Sequence, residues 1–146
     1  MTFATDMIAH HQQAIDMADV VLDKNEVDQR VIDLAEDIKA AQGPEIETMT
    51  SWLEEWGQST DSGMNDMDHG NGMMSDADMA ALESATGPEA TRLFLEQMIE
   101  HHEGAIAMAE TETDTGQNAD ALALAQTIIE AQTTEIATMR GILGTL

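Results

Sequence analysis

The feature that most constrains the fold of this chain is an internal repeat. Residues 3–18 align with residues 94–109, 91 positions further along, and nine of the sixteen aligned positions are identical. A second match, at a shift of 90, aligns residues 35–53 with residues 125–143 and also holds nine identities. The shift changes by one residue between the two matches, as expected where a turn intervenes. Each repeat therefore consists of two segments joined by a short connection.

The composition of both segments is typical of helices. The apolar residues are mostly Ala, Ile, Leu and Met, and Phe and Trp contribute only two residues each, which favours helix over strand. We expect four helices, at about 3–24, 27–56, 88–113 and 118–143, with a kink or break of the second at Gly43-Pro44. Two αα-hairpins with one apolar stripe each bury those stripes against one another. The predicted fold class is an all-α four-helix bundle.

The linker between the repeats has a composition of its own. We predict one domain over residues 1–146, made of a first hairpin at 3–57, a linker at 58–87 and a second hairpin at 88–144. The first half of the linker has the Gly, Ser, Asp and Asn content of a loop, and the second half predicts a short helix at about 76–85. Set into this polar linker are Met64, Met67, His69, Met73 and Met74. Methionines in a polar loop have no hydrophobic core to fill, so their presence indicates a role other than packing.

The charge of the chain excludes several functions. With 29 acidic and 5 basic residues, the chain has no basic surface for nucleic acid or anionic membrane. The acidity fits either a halophilic source, where salt screens the self-repulsion, or simply a very soluble surface. No apolar run is long enough to span a membrane, and the absence of Cys excludes disulfides and thiolate chemistry. Because the chain begins directly in a helix, we expect that a leader has been removed.

The histidines are concentrated in the repeat. Four of the five occur as the adjacent pairs His10-His11 and His101-His102. On a helical wheel, the two imidazoles of the first pair flank the centre of the apolar stripe. Met7 lies three and four residues before them, on the same side of the helix. The three side chains can therefore converge on one side of the helix.

The second helix of each hairpin carries the repeated pattern Gln-x-x-Glu. In the first hairpin, Gln42 and Glu45 lie on the apolar side of the predicted helix. Buried amides and carboxylates must be satisfied by each other, by water or by an ion. Two interpretations follow: His, Gln and Glu hydrogen-bond across the bundle and set its register, or they belong to a metal site.

The donor types indicate which metal such a site would hold. Imidazole together with thioether sulfur favours soft ions, above all Cu(I) and its mimic Ag(I). The Met and His side chains of the linker would act as a flexible chelator for the same ion. Soft-metal binding without Cys suits an oxidising, extracytoplasmic compartment. The Glu-x-x-His of di-iron centres, H-E-x-x-H, a phosphate loop and G-x-S-x-G are all absent, so we predict that the protein is not an enzyme.

The repeated M-I-x-H-H-x-x-A-I-x-M-A, followed by Q-x-x-E-I-x-T-M, resembles the DUF305 family of bacteria and archaea. The resemblance covers residues 3–56 and 76–143. It implies a ferritin-like four-helix bundle that binds copper through Met and His and serves copper tolerance outside the cytoplasm. The extreme acidity is not part of the family pattern and would suit a haloarchaeal member. Carried over by motif, the implied ligands are Met7, His10, His11, Met17, Met98, His101, His102 and Met108, with Met49 and Met139 as further candidates.

Two functional hypotheses follow. The first is an extracytoplasmic copper-binding protein, for Cu(I) with Cu(II) as a second form, that sequesters copper, confers tolerance or passes the ion to a partner protein. The alternative is an acidic four-helix structural or interaction module whose buried His, Gln and Glu are hydrogen-bonded pairs and not metal ligands. The sequence leaves open whether the two His pairs share one ion, and which imidazole of each pair points inward.

Overall fold

The computed structural model describes residues 2–58 and 72–146, and this part of the chain consists of five helices and no strand. The helices are α1 (Thr2–Leu22), α2 (Gln29–Glu55), α3 (Asp76–Ser84), α4 (Gly87–Thr115) and α5 (Ala119–Leu143). The all-helical fold class is thus confirmed. The four long helices occupy the positions predicted from the repeat, and α3 lies in the second half of the linker. None of the described helices is both long and apolar enough to cross a membrane.

Side-chain caps determine where the second helix of each hairpin begins. The carboxylate of Asp28 accepts a hydrogen bond from the backbone N–H of Arg30 at 2.9 Å. In the other hairpin, the amide oxygen of Asn118 accepts from the backbone N–H of Ala121 at 3.0 Å. Both caps satisfy backbone donors that have no partner within the helix. The cap places the start of α2 at Gln29, two residues later than predicted.

The sequence predicts a kink or a break of the second helix at Gly43-Pro44. The predicted break is wrong, because α2 continues through Pro44. A proline inside a helix removes the hydrogen bond to the carbonyl four residues earlier. Here both Pro44 and Ala40, which carries that carbonyl, are exposed. Water can satisfy the carbonyl on this face, while the opposite face of α2 remains packed through residues such as Ile38 and Met49.

The two hairpins meet through α1 and α4. Helix α1 contacts α2 and α4, α4 contacts α5, and the short α3 lies against both α1 and α4. The buried apolar side chains form two clusters, which contain opposite halves of each long helix. One cluster holds Phe3, Met49 and Ala121, and the other holds Val21, Leu34 and Ile142. We call these two parts of the molecule the open end and the covered end, since only the second is overlaid by α3.

Polar contacts hold α3 and the residues before it on the covered end. The side-chain amide of Gln13 both donates to the carbonyl of Met74, at 2.9 Å, and accepts from its N–H, at 2.8 Å. Lys24 Nζ donates to the carbonyls of Glu83 and Ala85 at 2.7 Å, where α3 ends. Gly72 has a φ of +76° and packs so closely on α4 that a Cβ would lie 2.6 Å from a backbone oxygen. Only glycine fits there.

Candidate metal centre

A layer of buried polar side chains separates the two apolar clusters. On α1, His10 and His11 lie between Met7 of the open end and Ala14 of the covered end. On each of the other long helices, a buried polar residue likewise separates the part that belongs to one cluster from the part that belongs to the other. The buried polar residues of the layer are His10, His11, Gln42, His101, His102 and Gln132, each at most 3% exposed.

The first histidine of each pair faces the other repeat. The rings of His10 and His101 are in contact, with centroids 3.7 Å apart and planes inclined at 37°. This contact joins α1 to α4 at the centre of the bundle. The two His-His pairs therefore meet through these two imidazoles.

The second histidine of each pair faces the second helix of its own hairpin. His102 Nε2 lies 3.3 Å from Oε1 of Glu135, within hydrogen-bonding distance. In the first hairpin, His11 Nε2 lies 3.5 Å from Oε1 of Glu45, but this contact does not have the geometry of a hydrogen bond. Both carboxylates are about one-fifth exposed, at 18% and 20%. The repeated Gln-x-x-Glu pattern therefore supplies an acidic neighbour for each repeated histidine.

Several imidazole nitrogens lack a protein partner. Within residues 2–58 and 72–146, both ring nitrogens of His101 are buried and make no hydrogen bond. The same is true of Nδ1 of His11 and of Nδ1 of His102. Buried polar atoms without a partner are costly, and native proteins have few of them. These nitrogens are concentrated in one layer, which points to a group that would bind them.

The charge state of His101 suits such a group. Burial lowers the pKa of His101 well below its usual value, and the charges of His10, His102 and His11 lower it further. The ring is therefore neutral at neutral pH. A neutral imidazole is the form that binds a metal ion, because the lone pair is then available.

The methionines predicted as ligands divide between the two ends. Each end receives three of them, and the division follows the repeat, since the equivalent residues Met17 and Met108 lie at opposite ends. The open end contains Met7, Met49 and Met108, and the covered end contains Met17, Met98 and Met139. Five of the six are fully buried, whereas Met108 is half-buried.

One methionine of the linker, Met74, is packed in the core, where the sequence predicted a loop residue with no core to fill. Met74 is buried at 5% exposure and belongs to the apolar cluster of the covered end, so the expectation that it has no core to fill is wrong. The reason is its backbone pairing with Gln13, which draws this part of the linker onto α1. Met73 is half-buried. Met64, Met67 and His69 lie outside the described residues, and their role as ligands stays a prediction.

Carboxylates and imidazoles alone do not form a metal site in this structure. Across the two described ranges, no three His, Cys, Asp or Glu side chains converge in an arrangement that could hold a metal ion. The histidine layer is flanked instead by thioethers, from Met7 on one side and Met98 on the other. A site built here would therefore combine imidazole nitrogen with thioether sulfur, the donors that soft metal ions prefer.

One role in the layer was not assigned from the sequence. One interpretation of the sequence has His, Gln and Glu hydrogen-bond across the bundle, but it does not say which histidine Glu45 or Glu135 would contact. The signal was the equal spacing of the two patterns, because His-His and Gln-x-x-Glu both recur at a shift of 90 or 91. Equal spacing indicates that the two groups face each other in both hairpins.

The fold and the enclosed layer together define an all-helical protein with a buried cluster of histidines flanked by methionines. The sequence profile described as "Domain of unknown function (DUF305)" matches residues 1–143. The chain therefore belongs to the DUF305 family. A comparison with curated proteins found no significant match.

Solved structures resemble the chain over nearly its whole length. A DUF305 fragment from Deinococcus radiodurans is 35% identical, with a TM-score of 0.91 and coverage of 99% of this chain and 95% of the other. A DUF305 protein from Streptomyces coelicolor, provisionally described as secreted, is 34% identical, with a TM-score of 0.89 and coverage of 98% and 89%. CopM in its Cu(I)-bound form is 30% identical, with a TM-score of 0.82 and coverage of 99% and 94%. Cu(II)-bound and silver-bound structures of CopM also match.

Proposed function

We propose that this protein binds copper, as Cu(I) in the first place, at the histidine layer, and that it works outside the cytoplasm in copper sequestration, tolerance or transfer. The observation that carries the proposal is the group of buried imidazole nitrogens without a protein partner. A metal ion would satisfy several of them at once. The ion is the cargo of the protein in this proposal and not a catalytic cofactor.

The Glu neighbours support the proposal. A neutral His102 that donates its Nε2–H to Glu135 keeps its Nδ1 lone pair for another partner. Histidines that bind metals commonly donate their other ring N–H to a carboxylate, which orients the ring and raises the basicity of the ligating nitrogen. Glu45 stands in the same relation to His11, at a slightly longer distance. Both hairpins thus contain the carboxylate and imidazole halves of this arrangement.

Copper is favoured over harder metals by the flanking side chains. Zinc sites in proteins use Cys, His or carboxylate ligands, and no three such side chains in the described part of the chain converge in an arrangement that could hold a metal ion. Thioethers flank the layer, and these select soft ions. The structural similarity to CopM in Cu(I)-, Cu(II)- and silver-bound forms agrees with this preference.

The location and the non-enzymatic role are further parts of the proposal. The lack of Cys in a soft-metal site suits an oxidising compartment, and the similarity to the S. coelicolor protein agrees with it. The four paired histidines are at most 2% exposed. Such enclosure suits storage or transfer of an ion better than turnover of a substrate at the ion.

The test is an anaerobic Cu(I) titration against a chromophoric competing chelator. The parent protein is compared with a variant in which His10, His11, His101 and His102 are all changed to Ala. We expect the parent to compete for Cu(I) and the variant to lose at least tenfold in affinity. As a matched control, Gln97→Leu alters a buried polar side chain of α4 outside this layer, and it should retain binding.

Thermal unfolding provides a second measurement for the same variants. An ion that binds only the folded state, at 100 times its Kd, stabilises that state by about 2.7 kcal/mol. Ag(I) should therefore raise the Tm of the parent and of the Gln control, but not that of the His variant. If the His variant folds by circular dichroism and competes for Cu(I) as well as the parent does, the histidines are only a hydrogen-bonding layer and the alternative function stands.

A further inference from the structure

The open end of the bundle contains a cleft of about 680 Å³. It lies between the start of α1, the end of α2 and the turn from α4 to α5. Its lining combines the apolar side chains of Phe3, Trp56 and Met108 with the carboxyl groups of Asp6 and Glu112. The cleft therefore offers a thioether and two acidic groups to solvent at one place.

Met108 connects this cleft to the interior. The side chain is half-buried, lines the cleft and packs against the apolar cluster of the open end. The same cluster contains Met7 and Met49, both with no exposed surface. Met7 precedes His10 by one helical turn. Thioethers therefore occur at the cleft, within the apolar cluster of the open end and one helical turn from the histidine layer.

The equivalent path at the covered end is closed. Met17, which corresponds to Met108 in the repeat, has no exposed surface. It shares its cluster with Met74 and Leu82, which the linker and α3 place over this end. Within residues 2–58 and 72–146, α3 has no counterpart at the open end, so Met108 lines a cleft whereas its equivalent Met17 is enclosed.

The acidic groups of the cleft favour cations at its mouth. Asp6 and Glu112 lie in its lining. Clefts lined by one sign of charge concentrate counter-ions. The whole chain is acidic, so these groups attract cations in general, whereas Met108 distinguishes soft ions from the rest.

We propose that the soft metal ion enters and leaves the buried centre through the cleft at the open end, with Met108 as its first thioether ligand. This inference rests on the proposed function, and it adds a direction: the two ends of a nearly symmetric bundle are not equivalent for metal exchange.

The test is stopped-flow mixing of the protein with Ag(I), which avoids copper oxidation. The only two tryptophans of the chain are Trp52 and Trp56, whose ring centroids lie 6.0 Å apart. Trp56 lines the cleft, so tryptophan fluorescence reports on metal binding there. Release of Ag(I) from a chromophoric chelator to the protein provides a readout that does not depend on these residues. The variants are Met108→Leu, which nearly conserves volume, and Met79→Leu. Met79 is a half-buried methionine at the covered end and serves as the matched control.

We expect Met108→Leu to slow association about tenfold, equivalent to ~1.4 kcal/mol in the barrier, and Met79→Leu to stay within about twofold of the parent. Equal rates for Met108→Leu and the parent would overturn the access route, as would equal slowing by both variants. A parent that binds no Ag(I) at equilibrium would overturn the proposed function instead, so the two failures are distinguishable. Circular dichroism of each variant checks that it is folded.

Discussion

The two ends of this bundle are built from equivalent residues and differ in what lies over them. Each end receives three methionines from the four long helices, and the repeat relates Met108 of the open end to Met17 of the covered end. The first lines a cleft and the second is fully enclosed. Duplication alone would make the ends alike, so the linker between the repeats produces the difference. A short helix packed on one side is enough to give a symmetric scaffold one accessible end.

The largest effect we expect comes from weakening the cover itself. Leu82 of α3 has no exposed surface and packs in the cluster of the covered end. Leu82→Ala should lower the free energy of unfolding by about 3 kcal/mol, since it combines lost burial with a cavity. The matched variant at the open end is Leu124→Ala, a half-buried leucine packed against the other cluster, with an expected loss of about 1 kcal/mol. Urea unfolding measures both.

A smaller loss for Leu82→Ala than for Leu124→Ala would contradict the comparison. It would show that α3 lies on the bundle without contributing to its stability, and the covered end would then be accessible through motion of α3.

An intermediate effect should follow from loss of the Gln13 contacts. Gln13→Ala removes two hydrogen bonds to the backbone of Met74 and leaves backbone groups without partners. We expect a loss of about 2 kcal/mol and faster hydrogen exchange of the amides of α3, measured by mass spectrometry. Gln12→Ala is the control, because Gln12 is exposed and donates a hydrogen bond to Asp16 on its own helix. Unchanged exchange of α3 in Gln13→Ala would mean that other contacts, such as those of Lys24, hold the cover in place.

The smallest effects concern the helix caps, one at each end of the bundle. Asp28 begins α2 at the covered end and Asn118 begins α5 at the open end. Changing either residue to Ala should lower the free energy of unfolding by about 1 kcal/mol at pH 7. The two caps should respond differently to acid, however, because only Asp28 carries an ionisable group.

The direction of the pH effect follows from the pKa of Asp28. Hydrogen bonds from the side chain and the backbone N–H of Arg30 lower the pKa of this carboxyl group to about 2. A lowered pKa in the folded state means that the carboxylate stabilises the fold above its ordinary pKa and loses this effect as the pH falls. The difference between the parent and Asp28→Ala in urea unfolding should therefore disappear between about pH 4 and pH 2. The difference for Asn118→Ala should persist, and a parallel loss would contradict the assignment to Asp28.

Much of the fold was predictable because the repeat carries it twice. The positions of the four long helices follow from apolar spacing, which reflects local backbone geometry and one buried face. Pro44 was the exception. The sequence pattern identifies the residue that cannot donate a hydrogen bond, but only the packed structure shows that Ala40, which carries the affected carbonyl, is exposed.

The sequence predicted which types of residue form the candidate centre, but not which of these residues contact one another. The burial of His10 and His11 followed from their position on the apolar stripe. The pairing of His10 with His101, and of His102 with Glu135, depends on how two helices cross, and residue spacing along one helix does not contain that information. Met74 was misjudged for the same reason, since a hydrogen bond to a residue 61 positions away draws it into the core.

The sequence by itself determined an all-helical chain of two equivalent hairpins, with doubled histidines on the buried stripe and methionines one turn away, because these properties depend on local periodicity and duplication. The tertiary structure decided which imidazoles meet, which lie beside a carboxylate, and which of the equivalent methionines Met17 and Met108 lines a cleft. Those outcomes depend on distances between helices and on the placement of α3 over one end only, and non-local packing sets both.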